Sequence, residues 1–296
     1  MQPEPLLTAP PAALAVRGRV DETLEAFLLA CRDEMAAVDP QAGVMVDELR
    51  RLLAAGGKRV RPAFCYWGHL AAGGQDAEPI VRAAASLELF HTFALVHDDV
   101  MDESRTRRSV ASTHARFAAE AGGPEREAER YGRSVAILVG DLAAVLADRL
   151  LVESGFPPER LLPGLRRYDR MRIEVAAGQL LDVSGPAADE SQAARVAALK
   201  TGAYTVEGPL HIGAILAGGS LEVLSALSRY AAPLGEAFQL RDDVLDHGEG
   251  VVPGATSAGV NELIERALAA AESPQLPAEA AGALRSLAEM LRLPER

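Results

Sequence analysis

The chain has 296 residues, 49% of them hydrophobic but only 4% aromatic, with a formal net charge of −12. A chain this acidic lacks the basic face that nucleic-acid binding needs, so no nucleic-acid partner is expected. Its apolar content comes mostly from Ala and Leu, which favour helices over sheets and suffice for a buried core.

Along the chain, the opening residues MQPEPLLTAPPAALAVRGRV have no basic stretch followed by a long apolar run. No secretory signal is read there, and residues 1–18 are expected as a flexible tail. Helical periodicity begins at Val20 and runs to Val38, with Asp21 as the expected N-cap. A second helix closes on Gly56-Gly57, and GGKRVRP then starts another near Arg61-Pro62. That start puts Lys58 and Arg61 where a helix N-terminus suits an anion, although the spacing of a Walker loop is absent. A long helix over 77–104 carries LVHDDVMDESRTRRS, with further helices expected over 133–154, 159–184, 189–201, 203–219, 221–247, 258–272 and 277–292. Pro209 predicts a kink in one of them. No stretch reads as a strand hairpin, and no uninterrupted apolar segment is long enough to span a membrane. The pattern predicts an all-α, single-domain bundle of long helices around a central cavity.

Two further features of composition bear on chemistry. Cys31 and Cys65 have no metal-binding spacing, so they are read as free thiols of a cytoplasmic protein. Lys58 and Lys200 are the only lysines beside many arginines, which suggests a use for a compact ammonium where a planar fork will not serve.

The chemistry-bearing pattern is D-D-x-x-D, which occurs twice. Asp98, Asp99 and Asp102 form the first copy, and Asp242, Asp243 and Asp246 the second. Aspartates four apart project from one helix face, where like charges repel unless something neutralises them. Carboxylate clusters without His or Cys select hard cations, and Mg²⁺ takes one or two carboxylates together with water and phosphate oxygens. Two such clusters on facing helices would hold metals with a diphosphate clamped between them. Lys58, Arg61, Arg107, Arg108 and Lys200 would then serve two diphosphate groups.

In the stretches GGKRVRP, LELFHTFALVHDDVMDESRTRR, ILVGDLAA, AAGQLLDV, KTGAYTVEGPL and AFQLRDDVLD, in this order, the chain resembles the trans-isoprenyl diphosphate synthases, the polyprenyl synthetase family. The resemblance runs from about Leu24 to Gly248 and makes 19–296 one such domain. It implies that Lys58, Arg61, His91 and Arg108 hold the diphosphate of isopentenyl diphosphate. Asp98, Asp102, Asp242 and Asp246 would ligate three Mg²⁺ ions, while Arg107 and Lys200 grip an allylic diphosphate. Oxygens near Lys200, Thr201 and Gln239 would stabilise the allylic cation, which the double bond of isopentenyl diphosphate attacks. Phe93, about 7.5 Å before Asp98 at the helical rise, and Ala94 would set product length, in a pattern that resembles geranylgeranyl producers. A homodimer is implied as well. His97, His114 and His211 are read as core residues.

The chain departs from the family at two places. Ser109 stands where the family usually has Gly, and the lysine-bearing loop that usually follows the second motif is shortened after about residue 250. A farnesyl or geranylfarnesyl synthase, a class I terpene cyclase, and a weakly active partner subunit of a heteromeric synthase are the competing readings. A cyclase binds one diphosphate and would leave GGKRVRP and Arg107-Arg108 without a purpose.

Overall fold

The computed structural model describes residues 11–108, 110–184, 198–252 and 255–294, with residues 11–14, Lys200, Thr201 and His247 described by backbone alone. Its described residues pack as two compact units. One comprises 18–59 and 81–154, the other 11–17, 60–80, 155–184, 198–252 and 255–294. Helices dominate both, as expected.

In chain order the helices are α1 (Pro11–Val38), α2 (Gly43–Ala54), α3 (Val60–Ala71), α4 (Glu78–Met101), α5 (Thr113–Ala121), α6 (Glu125–Val152) and α7 (Pro158–Val183). A π-helical segment, Ala198–Glu207, runs directly into α8 (Gly208–Ala217), followed by α9 (Leu221–His247), α10 (Ser257–Ala271) and α11 (Ala278–Glu289). Several boundaries differ from the sequence expectation. α1 starts at Pro11, so residues 11–18 are helical, and Asp21 lies inside the helix and not at its cap. The separate α5 and the first turns of α6 were not expected; the break between them is Gly122-Gly123-Pro124, with both glycines at positive φ. Of the helix expected over 189–201, residues 189–197 lie outside the described residues.

The unit of 18–59 and 81–154 is built on α4. α4 is long and apolar enough to cross a membrane by length and composition alone, but Arg82, Glu88, Asp98 and Asp99 interrupt its apolar run and 72% of its apolar window is buried in the protein. It is a core helix, with Leu87, Leu89, Phe90 and Val96 inside. α5 packs on α6 so closely that a Cβ on Gly132 would lie 2.2 Å from the His114 carbonyl oxygen. A fully buried Glu48 ties α2 to this pair by accepting from Arg51, Arg116 and Thr113. A strand pair of two residues each, β1 (Thr106–Arg107) and β2 (Val110–Ala111), corrects the reading that no hairpin exists.

In the other unit α3 and α8 touch backbone to backbone. A Cβ on Gly68 would meet the Leu210 carbonyl at 2.2 Å, and one on Gly213 the Cys65 carbonyl at 1.8 Å, so any side chain there forces the helices apart. Leu210, Ile212 and Leu216 are buried along α8, each contributing about 1.5–3 kcal/mol by removal from water. Pro209 does not kink this helix. It falls within the first two residues of α8, where its missing N–H costs nothing, and the wider π turn ends at Glu207 just before it. Tyr230, on α9, donates its hydroxyl to the Leu284 carbonyl and anchors α11.

Candidate active site

The first aspartate motif closes α4. Asp98 and Asp99 are in its last turn, and Asp102 lies one residue past its end. The Asp102 N–H still bonds the Asp98 carbonyl at 2.8 Å, so the helical turn is completed and both residues keep to one face. Asp99, about 100° round the helix from Asp98, turns inward: its side chain is 4% exposed, against 22% for Asp98. Beyond Asp102, Glu103 takes φ +52° and the Ser104 N–H reaches back to the Asp99 carbonyl at 2.9 Å. This is a Schellman stop with glutamate where glycine is usual.

The β1–β2 ladder pairs Arg107 with Val110, so the chain reverses within two residues after Arg107. Tight loops of this length favour positive φ, and Arg108 has φ +50°. Ser109 itself lies outside the described residues. The turn returns Arg107 to the helix end, where Nε and Nη2 donate to Asp99 Oδ1 at 2.8 and 2.6 Å and Nη2 reaches Asp98 Oδ2 at 3.3 Å. Burial pushes the Asp99 carboxyl above its ordinary range, with Arg107 pulling the other way. Burial likewise works against the Arg107 charge, but its bonds to Asp99 and Asp98 outweigh that and hold it fully protonated. The first motif therefore carries its own counter-charge.

GGKR lies in the same unit. Gly56 has φ +96°, and its carbonyl accepts from the Arg108 guanidinium. A Cβ on Gly57 would stand 2.9 Å from Arg59 Nη1 and 3.1 Å from Arg108 Nη1, so glycine is what admits two guanidinium groups beside Lys58. Arg59 faces inward and donates to Asp21 Oδ1 at 2.7 Å, Glu88 Oε1 at 2.6 Å and the Leu53 carbonyl at 2.8 Å. Asp21 is thus an ion-pair partner. A cleft lined by Leu52, Thr92, Leu95, Asp99, Arg107 and Arg108 opens here. On α4, His91 and Ala94 are half-buried, and half-buried Phe93 packs between Phe90 at 5.3 Å and His97 at 4.8 Å. His97 also bonds the Ile137 carbonyl, as a packed histidine does.

The remaining candidates belong to the other unit. Arg61 lies 4.1 Å over the Tyr204 ring and donates to Thr205 Oγ1 at 2.9 Å, while its buried Nε has no partner. Tyr204 and Thr205 are on the π segment, whose backbone also carries Lys200 and Thr201; the side chains of these two fall outside the described structure. Gln239 donates its amide to Asp243 Oδ1 at 3.0 Å, one turn along α9. Asp242 is 57% exposed, 3.8 Å from the buried Arg241, and Asp246 is exposed.

Among the described residues no three His, Cys, Asp or Glu side chains gather as a metal cage. The donor set nonetheless fits a hard cation: Asp98 with Asp102, and Asp242 with Asp246, offer carboxylate oxygens in pairs one turn apart. That is the share Mg²⁺ takes from protein when phosphate and water supply the rest.

The family model for polyprenyl synthetase matches residues 44–250. The chain belongs to the polyprenyl synthetase family. The chain is 34% identical over 207 residues to the geranylgeranyl pyrophosphate synthase of Geoglobus acetivorans, covering 69% of this chain and 60% of that protein. It is 33% identical over 201 residues to the geranylfarnesyl diphosphate synthase of Aeropyrum pernix, covering 66% of this chain and 58% of that one. The chain thus spans about six-tenths of the length of these relatives. A solved geranylgeranyl pyrophosphate synthase from Corynebacterium glutamicum, complexed with isoprenyl diphosphate and magnesium, superposes with a TM-score of 0.84 at 30% identity, over 92% of this chain and 97% of that one.

Sequence reasoning missed two participants in the site, Asp99 and Gly57, and left open whether Tyr204 and Thr205 pack near it. Asp99 orients Arg107, Gly57 makes room, and Tyr204 with Thr205 fixes Arg61. The adjacency of Asp99 to Asp98 was visible; which of the two faces inward was not.

Proposed function

We propose that the chain condenses isopentenyl diphosphate with an allylic diphosphate to give a short-chain all-trans prenyl diphosphate, most nearly geranylgeranyl diphosphate. The carrying observation is the first aspartate motif with its arginines: Asp98 and Asp102 one turn apart for a hard cation, with Arg107 bonded to Asp98 and Asp99 and lining, with Arg108, the adjacent cleft. Lys58, Arg61, His91 and Arg108 hold the isopentenyl diphosphate. Arg107, aimed by Asp99, and Lys200 hold the allylic diphosphate as negative charge builds on it. Asp98, Asp102, Asp242 and Asp246 would hold three Mg²⁺ ions, whose chemistry would be electrophilic pull on the leaving diphosphate. Oxygens at Thr201 and Gln239 stabilise the developing allylic cation by preorganised dipoles. Phe93 and Ala94 set the length at which growth stops, and a farnesyl or geranylfarnesyl product is the alternative.

Assembly as a homodimer is supported by α6, where Tyr131, Leu138, Val145 and Val152 form an exposed apolar row at seven-residue spacing. A cytoplasmic location is supported by Cys31 and Cys65, both buried free thiols.

The test is incubation with Mg²⁺, isopentenyl diphosphate and dimethylallyl, geranyl or farnesyl diphosphate, followed by separation of products. Chain-extended diphosphates are expected, and a cyclic hydrocarbon would sink the reading. One observation favours a second reading, a partner subunit of a heteromeric synthase. No Lys or Arg occurs between Arg241 and Arg266, and the link after α9 is a tight turn closed by Gly250 N–H to the Ala255 carbonyl at 2.8 Å. Turnover only on adding a second subunit would support it.

A further inference from the structure

The π segment ends on a polar cluster that the proposed chemistry leaves unused. Glu207, its last residue, lies 2.8 Å from the Ser228 hydroxyl on α9, and that hydroxyl lies 3.0 Å from His211 Nε2 on α8. Serine has one proton to give. If Glu207 receives it, Ser228 must accept from His211, which then carries its proton on Nε2. The same N–H lies 3.2 Å from the Leu224 carbonyl. Burial lowers the His211 pKa, with Glu207 opposing, and the neutral Nε2–H tautomer satisfies both contacts. From α7, Arg167 faces Glu207 at 3.8 Å and Glu174 at 3.7 Å, and Glu174 is itself held by Arg170 at 2.7 Å. Side chains of three helices thus converge on Glu207.

Its position gives this convergence a purpose. Glu207 stands where wide π bonding hands over to α bonding, just ahead of Gly208-Pro209. A π segment holds an extra residue. If it relaxed to α, positions upstream of the junction would slip by one residue and turn by about 100°. Lys200 and Thr201 are upstream. The middle of the segment is pinned against α9, since a Cβ on Gly235 would stand 2.6 Å from Gly202 Cα. Glu207 pins the end.

We propose that Glu207, held by Ser228, His211 and Arg167, is a positioning residue that locks the π register and so sets where Lys200 and Thr201 meet the allylic diphosphate. The lock stands on geometry alone; its consequence for substrate rests on the function proposed above.

Two readouts on the full chain separate these. Amide exchange across residues 198–207 should quicken about five- to tenfold in Ser228→Ala and in Glu207→Gln, the scale of one lost hydrogen bond, and Ser228→Thr should restore it. In steady-state kinetics the same two variants should raise KM for the allylic diphosphate by about five- to tenfold while KM for isopentenyl diphosphate changes less than about twofold. Unchanged exchange in both variants overturns the lock. Quickened exchange with equal changes in both KM values overturns its link to the allylic site. A wild-type chain without prenyl transfer would sink the function proposed above, while the exchange result still decides the lock.

Discussion

The two aspartate motifs share their letters and little of their electrostatics. In the first, Asp99 is buried and bound twice by Arg107, which also reaches Asp98, so one positive charge is set against the three carboxylates before any ligand arrives. In the second, Asp243 accepts from the neutral Gln239, and Asp242 is mostly exposed, 3.8 Å from Arg241. No further cation follows until Arg266. The first motif is a built site that orients its own arginine. The second presents more of its carboxylate surface to solvent, with Asp242 and Asp246 exposed. An identical pattern can therefore be drawn into a buried ion-pair network in one place and stay mostly exposed in another.

The comparison is tested hardest by removing a carboxylate from each motif. Asp98→Ala and Asp242→Ala should each lower kcat by about 10²–10³, the scale for losing one group that stabilises transition-state charge. Only Asp98→Ala should also disturb the fold, because Asp242 is exposed. Product formation and thermal unfolding of the two variants check this; full activity in either removes that residue from the metal role.

The next effect concerns stability. Asp99→Ala strands Arg107 at a largely desolvated position and should cost about 2–4 kcal/mol, below the full penalty for a buried pair because Arg107 is partly exposed. Asp243→Ala should cost about 1 kcal/mol or less, as for one part-buried hydrogen bond to a neutral amide. Denaturant unfolding reads both, and similar costs would erase the distinction. The smallest effect lies at the end of the first motif. Glu103→Gly should stabilise by about 0.5 kcal/mol, since glycine takes the left-handed backbone without a Cβ clash. A loss of stability there would mean that the glutamate side chain has a role of its own.

Much of this was legible in the sequence, and the reasons for the rest are physical. The i, i+4 spacing put Asp98 and Asp102 on one face, and Asp102 keeps to that face even past the helix end because its N–H completes the last turn. What spacing could not give was the direction of the neighbours. Lys58 and Arg59 are adjacent cations, yet Arg59 is buried on Asp21 and Glu88, because partners distant in sequence decide which side chain turns inward. Asp21 looked like a helix cap for the same reason. Pro209 read as a kink because local pattern does not distinguish a helix interior from the start of a new helix after a π segment. The short β1–β2 ladder left no alternating pattern to find, since its two strands have two residues each.

The most direct test of the difference between the motifs is a pair of double-mutant cycles on unfolding free energy, one for Asp99→Asn with Arg107→Met and one for Asp242→Asn with Arg241→Met. The account predicts a coupling of about 1.5–3 kcal/mol for the first pair and below about 0.5 kcal/mol for the second. Equal couplings would contradict it.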